Sequence, residues 1–410
     1  MIISVLFLID FHNIVRILQQ ITAHLCKVIK IIATFAKNRN EMKVERETAG
    51  FALPFTAGVL LASYCAPGII HHHTYIPIAV LPFLATSVLM HRSRRYLHPL
   101  TLWLLIGAAA LSAGMICGFT SAAISISHIG SSLLQWAEGF GTHIQDAIDS
   151  IPFRDKYCNA LAKALVTGER SGIPKELATV FRESGASHIL ALSGLHLGII
   201  YGILSRSLAM LGNYRKLWIP RSAVIISACG FYTLATGAGP SIVRAFLFIL
   251  LAETGRMTHR HHSTGQLLFS ALVLQLTFAP SSVTSAGFQL SYAAMAGIAF
   301  ILPRLEALWP GNIYDDSAFT RCIRKIWKAC ALSLSCQMTT APMAYLYFGS
   351  LPKHFLLTNL LALPLAGLII PAVLATTLLH SLGICPVALI RLTEALISAL
   401  TGSLGIISGM

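Results

Sequence analysis

Of the chain's 410 residues, 55% are hydrophobic and only 11% are charged, too few to clothe a water-facing surface, where about a quarter of residues carry charge. This excludes an ordinary soluble domain and predicts an all-α fold, a polytopic helical membrane protein with about 10–11 transmembrane helices and short amphipathic helices. The net charge of +14 would suggest nucleic acid in a soluble protein; here it reads first as basic loops that hold the cytoplasmic side.

Residues 1–49 form a basic amphipathic N-terminal segment. Within it, 14–36 (IVRILQQITAHLCKVIKIIATFA) suits a helix lying on the membrane surface, and no signal-peptide cleavage site follows the apolar start. Met42, which opens MKVERETAGFALPF, is an alternative native start. Apolar blocks at about 50–66, 76–90 and 99–118 are the N-terminal transmembrane helices, 50–118. The loop after the first holds His71, His72 and His73 but no Lys or Arg, and the loop after the second, HRSRRYLH, has three arginines. Residues 119–155 are a short extracytoplasmic linker whose only Lys or Arg is Arg154. The nine cysteines are scattered, with no C-x-x-C pair and no zinc spacing, so neither a metal nor another cofactor is expected.

The rest, 156–410, is one transmembrane domain. It opens with two short amphipathic helices, KYCNALAKALVTGE and PKELATVFRESG, broken between Gly168 and Gly172, with Pro174 at a favoured helix start and Gly185 at the end. Spans follow from about 188–211 to 385–407. Lys and Arg gather in the loops on one side, which places the N-terminus in the cytoplasm. One stretch breaks this alternation. Lys156, Lys163, Arg170, Lys175 and Arg182 fall outside, where otherwise only Arg154 and Lys353 stand.

Four motifs carry polar residues into apolar surroundings. In FRESGASHILALSGLHLG (181–198), His188, Ser193 and His196 stand at the start of a span, with Ser193 and His196 sharing a helix face. They read as contacts between helices or as a Ser–His pair of a hydrolase, although no G-x-S-x-G elbow or orienting acid accompanies them. Gly194, Gly198 and Gly202 recur every four residues, a pattern for close helix packing. In GAGPSIVRAF (237–246), Pro240 starts a helix and Arg244 falls near its positive end, where a cation is unfavourable. Arg244 either snorkels to the interface or faces a polar pathway and meets an anion. In SAGFQLSYAAMAGI (285–298), the small Gly287 and Ser291 suit packing, and Gln289 and Tyr292 suit hydrogen bonds between helices. In TNLLALPLAG (358–367), Asn359 opens a span that Pro364 interrupts, as in the broken helices that line transport sites. Arg391 and Glu394, three apart in the last span, form a pair.

Taken in order, LVTGERSGIP, F-x-x-S-G-x-x-H-I-L-A-L-S-G-L-H-L-G, P-S-x-x-R-A, G-F-Q-L-S-Y-A-A and N-L-L-A-L-P resemble the competence domain of the ComEC family of bacterial DNA-uptake proteins. The resemblance covers 156–410 well and 50–118 only as membrane spans. It implies an inner-membrane channel for single-stranded DNA during natural transformation, with His188, Ser193, His196, Arg244, Gln289, Asn359, Lys163, Arg170, Lys175 and Arg182 as pathway or pore candidates. It also places the 156–187 stretch near the DNA entrance, where Lys and Arg ease the passage of phosphates. The implied partners are single-stranded DNA, membrane lipid, and a separate nuclease, DNA receptor and cytosolic helicase, with an oligomer open. The sequence departs from many members of that family. Residues 119–155 are too short for the OB fold found there, and no H-x-H-x-D-H zinc motif of a metallo-β-lactamase-like domain occurs. The expectation is a channel without chemistry of its own. The alternatives are a secondary transporter of a small anionic solute, a membrane hydrolase using Ser193 and His196, and a remnant that has lost activity.

Overall fold

The computed structural model describes residues 41–65, 75–93, 99–121, 131–210, 218–258, 262–309, 318–349, 351 and 354–409. The expectations for residues 14–36, the histidines at 71–73 and Lys353 lie outside these. Residues 49–410 form one compact unit.

Every described element is helical: α1 (Glu41–Cys65), α2 (Tyr75–Ser93), α3 (Pro99–Ser121), α4 (Ser131–Asp149), α5 (Lys156–Thr167), α6 (Lys175–Glu183), the single turn α7 (Ser187–Leu190), α8 (Gly194–Ala209), α9 (Trp218–Ala235), α10 (Pro240–Met257), α11 (Thr264–Phe278), α12 (Ala286–Ala296), α13 (Leu302–Ala307), α14 (Ala318–Phe348), α15 (Phe355–Ser381) and α16 (Val387–Ser408). Four stretches among the described residues are long and apolar enough to cross a bilayer: Leu100–Phe119, Ala286–Ala307, Phe355–Ser381 and Val387–Ser408. Their outward residues include Leu368, Leu378, Leu392 and Ile406, large and apolar yet exposed, as lipid contact requires and water would penalise. At about 1.5 Å per residue, 18-residue α10 has nearly the length to cross; Arg244, Glu253 and Arg256 raise its polarity.

Three expected spans differ in detail. The span at about 188–211 is two helices, because Ser193 is extended (φ −126°, ψ 172°) and begins α8 as its cap. The span at about 286–303 changes to a π turn at Gly297–Ile301, where a Cβ on Gly297 would overlap the Ser335 carbonyl oxygen of α14. The span at about 354–379 is unbroken. Pro364 and Pro371 lie inside continuous α15, a position tolerated where neighbouring helices cover the freed carbonyls.

The two amphipathic helices of 156–187 form as their sequences dictate. Asp155 caps α5, and Gly168 ends it with φ +80°. Gly185, with φ +83°, turns the chain after α6. At 12 and 9 residues both are too short to span. Their apolar faces, through Leu161, Leu165 and Phe181, pack with Ile189 against Ala366, Ile370 and Val373 of α15 and Ile397 and Leu400 of α16. The buried Thr358 hydroxyl of α15 donates to the Ser184 carbonyl at 2.6 Å. The α5–α7 segment is thus fastened to the last two helices.

Candidate functional site

The break before α8 sets the geometry of the first motif. The Ser193 backbone N–H donates to His196 Nδ1 at 3.2 Å, and the Leu195 N–H donates to Ser193 Oγ at 3.3 Å. This reciprocal capping box holds the imidazole beneath the helix start. Ser193 Oγ also lies 3.1 Å from Nδ1. Because Nδ1 accepts the backbone proton, the neutral ring carries its own proton on Nε2. His196 is fully buried, and Nε2 has no hydrogen-bond partner. The serine–histidine contact is accounted for by capping, and no carboxylate orients the ring among the described residues. His188 stays local: its Nδ1 lies 3.1 Å from the Gly185 carbonyl oxygen.

Gly194, the first residue of α8, abuts α10. A Cβ there would lie 3.4 Å from Ala245 Cβ and 3.5 Å from Arg244 Nη2. Arg244 is 7% exposed. Its Nη2 reaches Ser241 Oγ only at 3.5 Å, and its Nη1 has no partner. The guanidinium stands 5.8 Å over the Tyr292 ring of α12. Ser241 Oγ lies 3.2 Å from Ser291 Oγ, also on α12. Tyr292 in turn donates to Gln275 Oε1 at 2.9 Å, and Gln275 Nε2 donates to the Pro240 carbonyl at 3.0 Å. No carboxylate pairs with Arg244 among the described residues. The first three motifs therefore meet around one buried cation, and the Thr358–Ser184 bond ties the fourth to the first.

Satisfied and unsatisfied groups separate the candidates. Gln289 is fully engaged: Nε2 donates to the Val283 carbonyl at 2.9 Å, and Oε1 accepts from Tyr347 at 2.8 Å. Five buried polar side-chain atoms lack partners among the described residues, and three of them belong to His196, Arg244 and Asn359. Each of these motif residues keeps one buried polar atom that no described residue satisfies.

The glycine pattern is corrected in part. Gly194 makes the close approach, but Gly198, Gly202 and Gly287 have nothing within 4 Å of where a Cβ would stand. Among the described residues no neighbouring helix rides on them. The tight backbone contacts lie elsewhere, at Gly58 against Leu111 and Gly114 against Phe55.

The 156–187 stretch holds five Lys and Arg and three Asp and Glu. Lys163 Nζ is paired with Asp149 Oδ2 at 2.7 Å. Arg170, Lys175 and Arg182 are exposed and bond to none of the motif residues described. Between 131 and 187, six Lys and Arg stand with seven Asp and Glu. The hydroxyl and N–H of Ser171 hold the Glu169 carboxyl below the usual carboxylate range, so Arg170 adjoins a persistent negative charge. Arg391 pairs with Glu394 at 3.0 Å, and Glu394 Oε1 accepts the N–H groups of Arg154 and Asp155 at 3.0 and 3.2 Å.

Sequence reading missed Glu253. It is 2% exposed and accepts from Tyr201 at 2.8 Å, Ser222 at 2.6 Å and Arg256 Nη1 at 2.6 Å. One carboxylate thus joins α8, α9 and α10, nine residues along α10 from Arg244. The Glu253–Arg256 spacing in an apolar run was the available signal.

These features define a polytopic helical membrane protein whose motif residues surround an uncompensated buried arginine. Residues 165–410 match the Competence protein family, and the chain belongs to that family, of the ComEC type. It is 30% identical to ComE operon protein 3 of Bacillus subtilis over 54% of this chain and 26% of that protein. It is 28% identical to Competence protein ComA of Neisseria gonorrhoeae over 50% of this chain and 28% of that protein. It is 24% identical to Recombination protein 2 of Haemophilus influenzae over 52% of this chain and 27% of that protein. The chain thus spans little more than a quarter of the length of these relatives. No solved structure matches it.

Proposed function

We propose that this chain forms the membrane passage of a bacterial DNA-uptake system, an inner-membrane channel that admits one DNA strand during transformation. In this reading residues 156–410 are the channel domain, 50–118 flank it as membrane helices, 119–155 lie outside and the N-terminus is cytoplasmic. The passage performs no chemistry, and a separate nuclease, DNA receptor and cytosolic helicase act beside it. The family match and the relative named Competence protein ComA support the role.

The observation that carries the reading is Arg244. A cation removed from water without a paired carboxylate is costly, and a charge at membrane depth ordinarily faces a pathway or partner. Phosphodiester groups supply the missing anion. The same arginine supports a second reading, transport of a small anionic solute, which predicts solute flux in liposomes without DNA.

The test is internalisation of labelled DNA by a strain deleted for this chain. Complementation with the wild type restores uptake, Arg244→Gln lowers it about tenfold or more, as expected for loss of a charged hydrogen bond, and Arg321→Gln, exposed on α14, restores it fully. Undiminished internalisation by the deletion strain contradicts the proposal.

A further inference from the structure

Two features of α8 stand apart from its packing. Its first residue, Gly194, lies against Arg244, and the glycines one and two turns on, Gly198 and Gly202, face open space. A glycine every four residues keeps one helix face free of side chains. In a helix meant only for lipid, that face would gain by carrying leucine or isoleucine.

The head of this face is electropositive. The first N–H groups of a helix have no partner within it; at α8 the Ser193 hydroxyl takes the Leu195 N–H and the Ser193 carbonyl takes the His196 N–H. Each helix N-terminus carries about half a positive charge. The start of α8 meets the early turns of α10, and between them lies a guanidinium that is more than nine-tenths buried, with Nη1 unpartnered. Arg244 makes no hydrogen bond to α8; the bonds that join α8 to α10 lie two turns on, at Tyr201. His196, two residues on from Gly194, offers a second buried donor without an acceptor.

We infer that Arg244 and the N-terminus of α8 form an anion site for a single phosphodiester group, and that the bare face through Gly198 and Gly202 is the lane along which the strand carrying it moves. The inference rests on the DNA-passage reading. Arginine suits the task because its planar fork can grip two phosphate oxygens at once. Glycines at successive turns let a chain of phosphates and sugars approach the helix backbone closely, as glycine does wherever a backbone must meet a ligand.

The test uses the full chain in lipid nanodiscs, with fluorescein-labelled oligothymidylate and radiolabelled inorganic phosphate as probes. The wild type should bind both, with phosphate competing against the oligonucleotide. Arg244→Gln should weaken both about tenfold or more, and Arg244→Lys, which keeps charge but not fork, should fall between. Gly198→Leu enters open space and spares the fold. It should weaken oligothymidylate about tenfold and leave phosphate binding unchanged. Arg244-dependent binding of phosphate with no binding of oligothymidylate keeps the anion site and overturns the DNA reading. Monodisperse Arg244→Gln protein that binds both probes as the wild type does overturns the site, while cellular uptake still judges the DNA reading separately. Wild-type oligothymidylate binding by Gly198→Leu marks that face as lipid-exposed and overturns the lane.

Discussion

At the residue scale, a buried polar atom without a partner is more informative than a polar residue as such. Ser193, Gln289 and His188 are as visible in the sequence as Arg244, yet their bonding is consumed by a cap, two neighbours and a turn. Ser193→Ala should cost about 1 kcal/mol, the usual worth of an N-cap, read as a lowered thermal midpoint in detergent, and a serine-directed fluorophosphonate should leave Ser193 unlabelled. Labelling at Ser193 would restore the hydrolase reading. His196, Arg244 and Asn359 were legible beforehand because a polar side chain stands out in an apolar run. Glu253 was not, because two of its partners, Tyr201 and Ser222, come from other helices.

At the element scale, the sequence reveals where helices occur more readily than how they break. Gly168 and Gly185 end helices as glycine patterning predicts. The π turn at Gly297–Ile301 could not be foreseen, since it arises where Gly297 meets the backbone of α14. Pro364 misleads in the other direction, remaining inside an unbroken helix. The glycines make the same point: close approach depends on what lies opposite, which spacing does not encode. Gly297→Ala should destabilise by about 2 kcal/mol or more, as overpacking does, whereas Gly198→Ala should shift the thermal midpoint little. Equal shifts would contradict the assigned contacts.

At the scale of the whole molecule, composition alone gives the class, because so few charges cannot cover a soluble surface. The ordered motifs give the family. Their meeting around Arg244 required the fold, since the contacts link residues 184, 194, 244, 291, 292 and 358 across four helices and the turn after α6. The charge at 156–187 reads differently once assembled: Lys163 is paired with Asp149, Arg170, Lys175 and Arg182 lie exposed to solvent, and Arg244 is the buried cation without a carboxylate among the described residues. The most direct test places a photo-crosslinking amino acid at position 198, on the open face of α8, or at Ile203, exposed on another side of the same helix, in cells taking up labelled DNA. The account predicts labelled DNA joined to the chain from position 198 and not from 203. Equal labelling, or none at 198 while uptake proceeds, would contradict it.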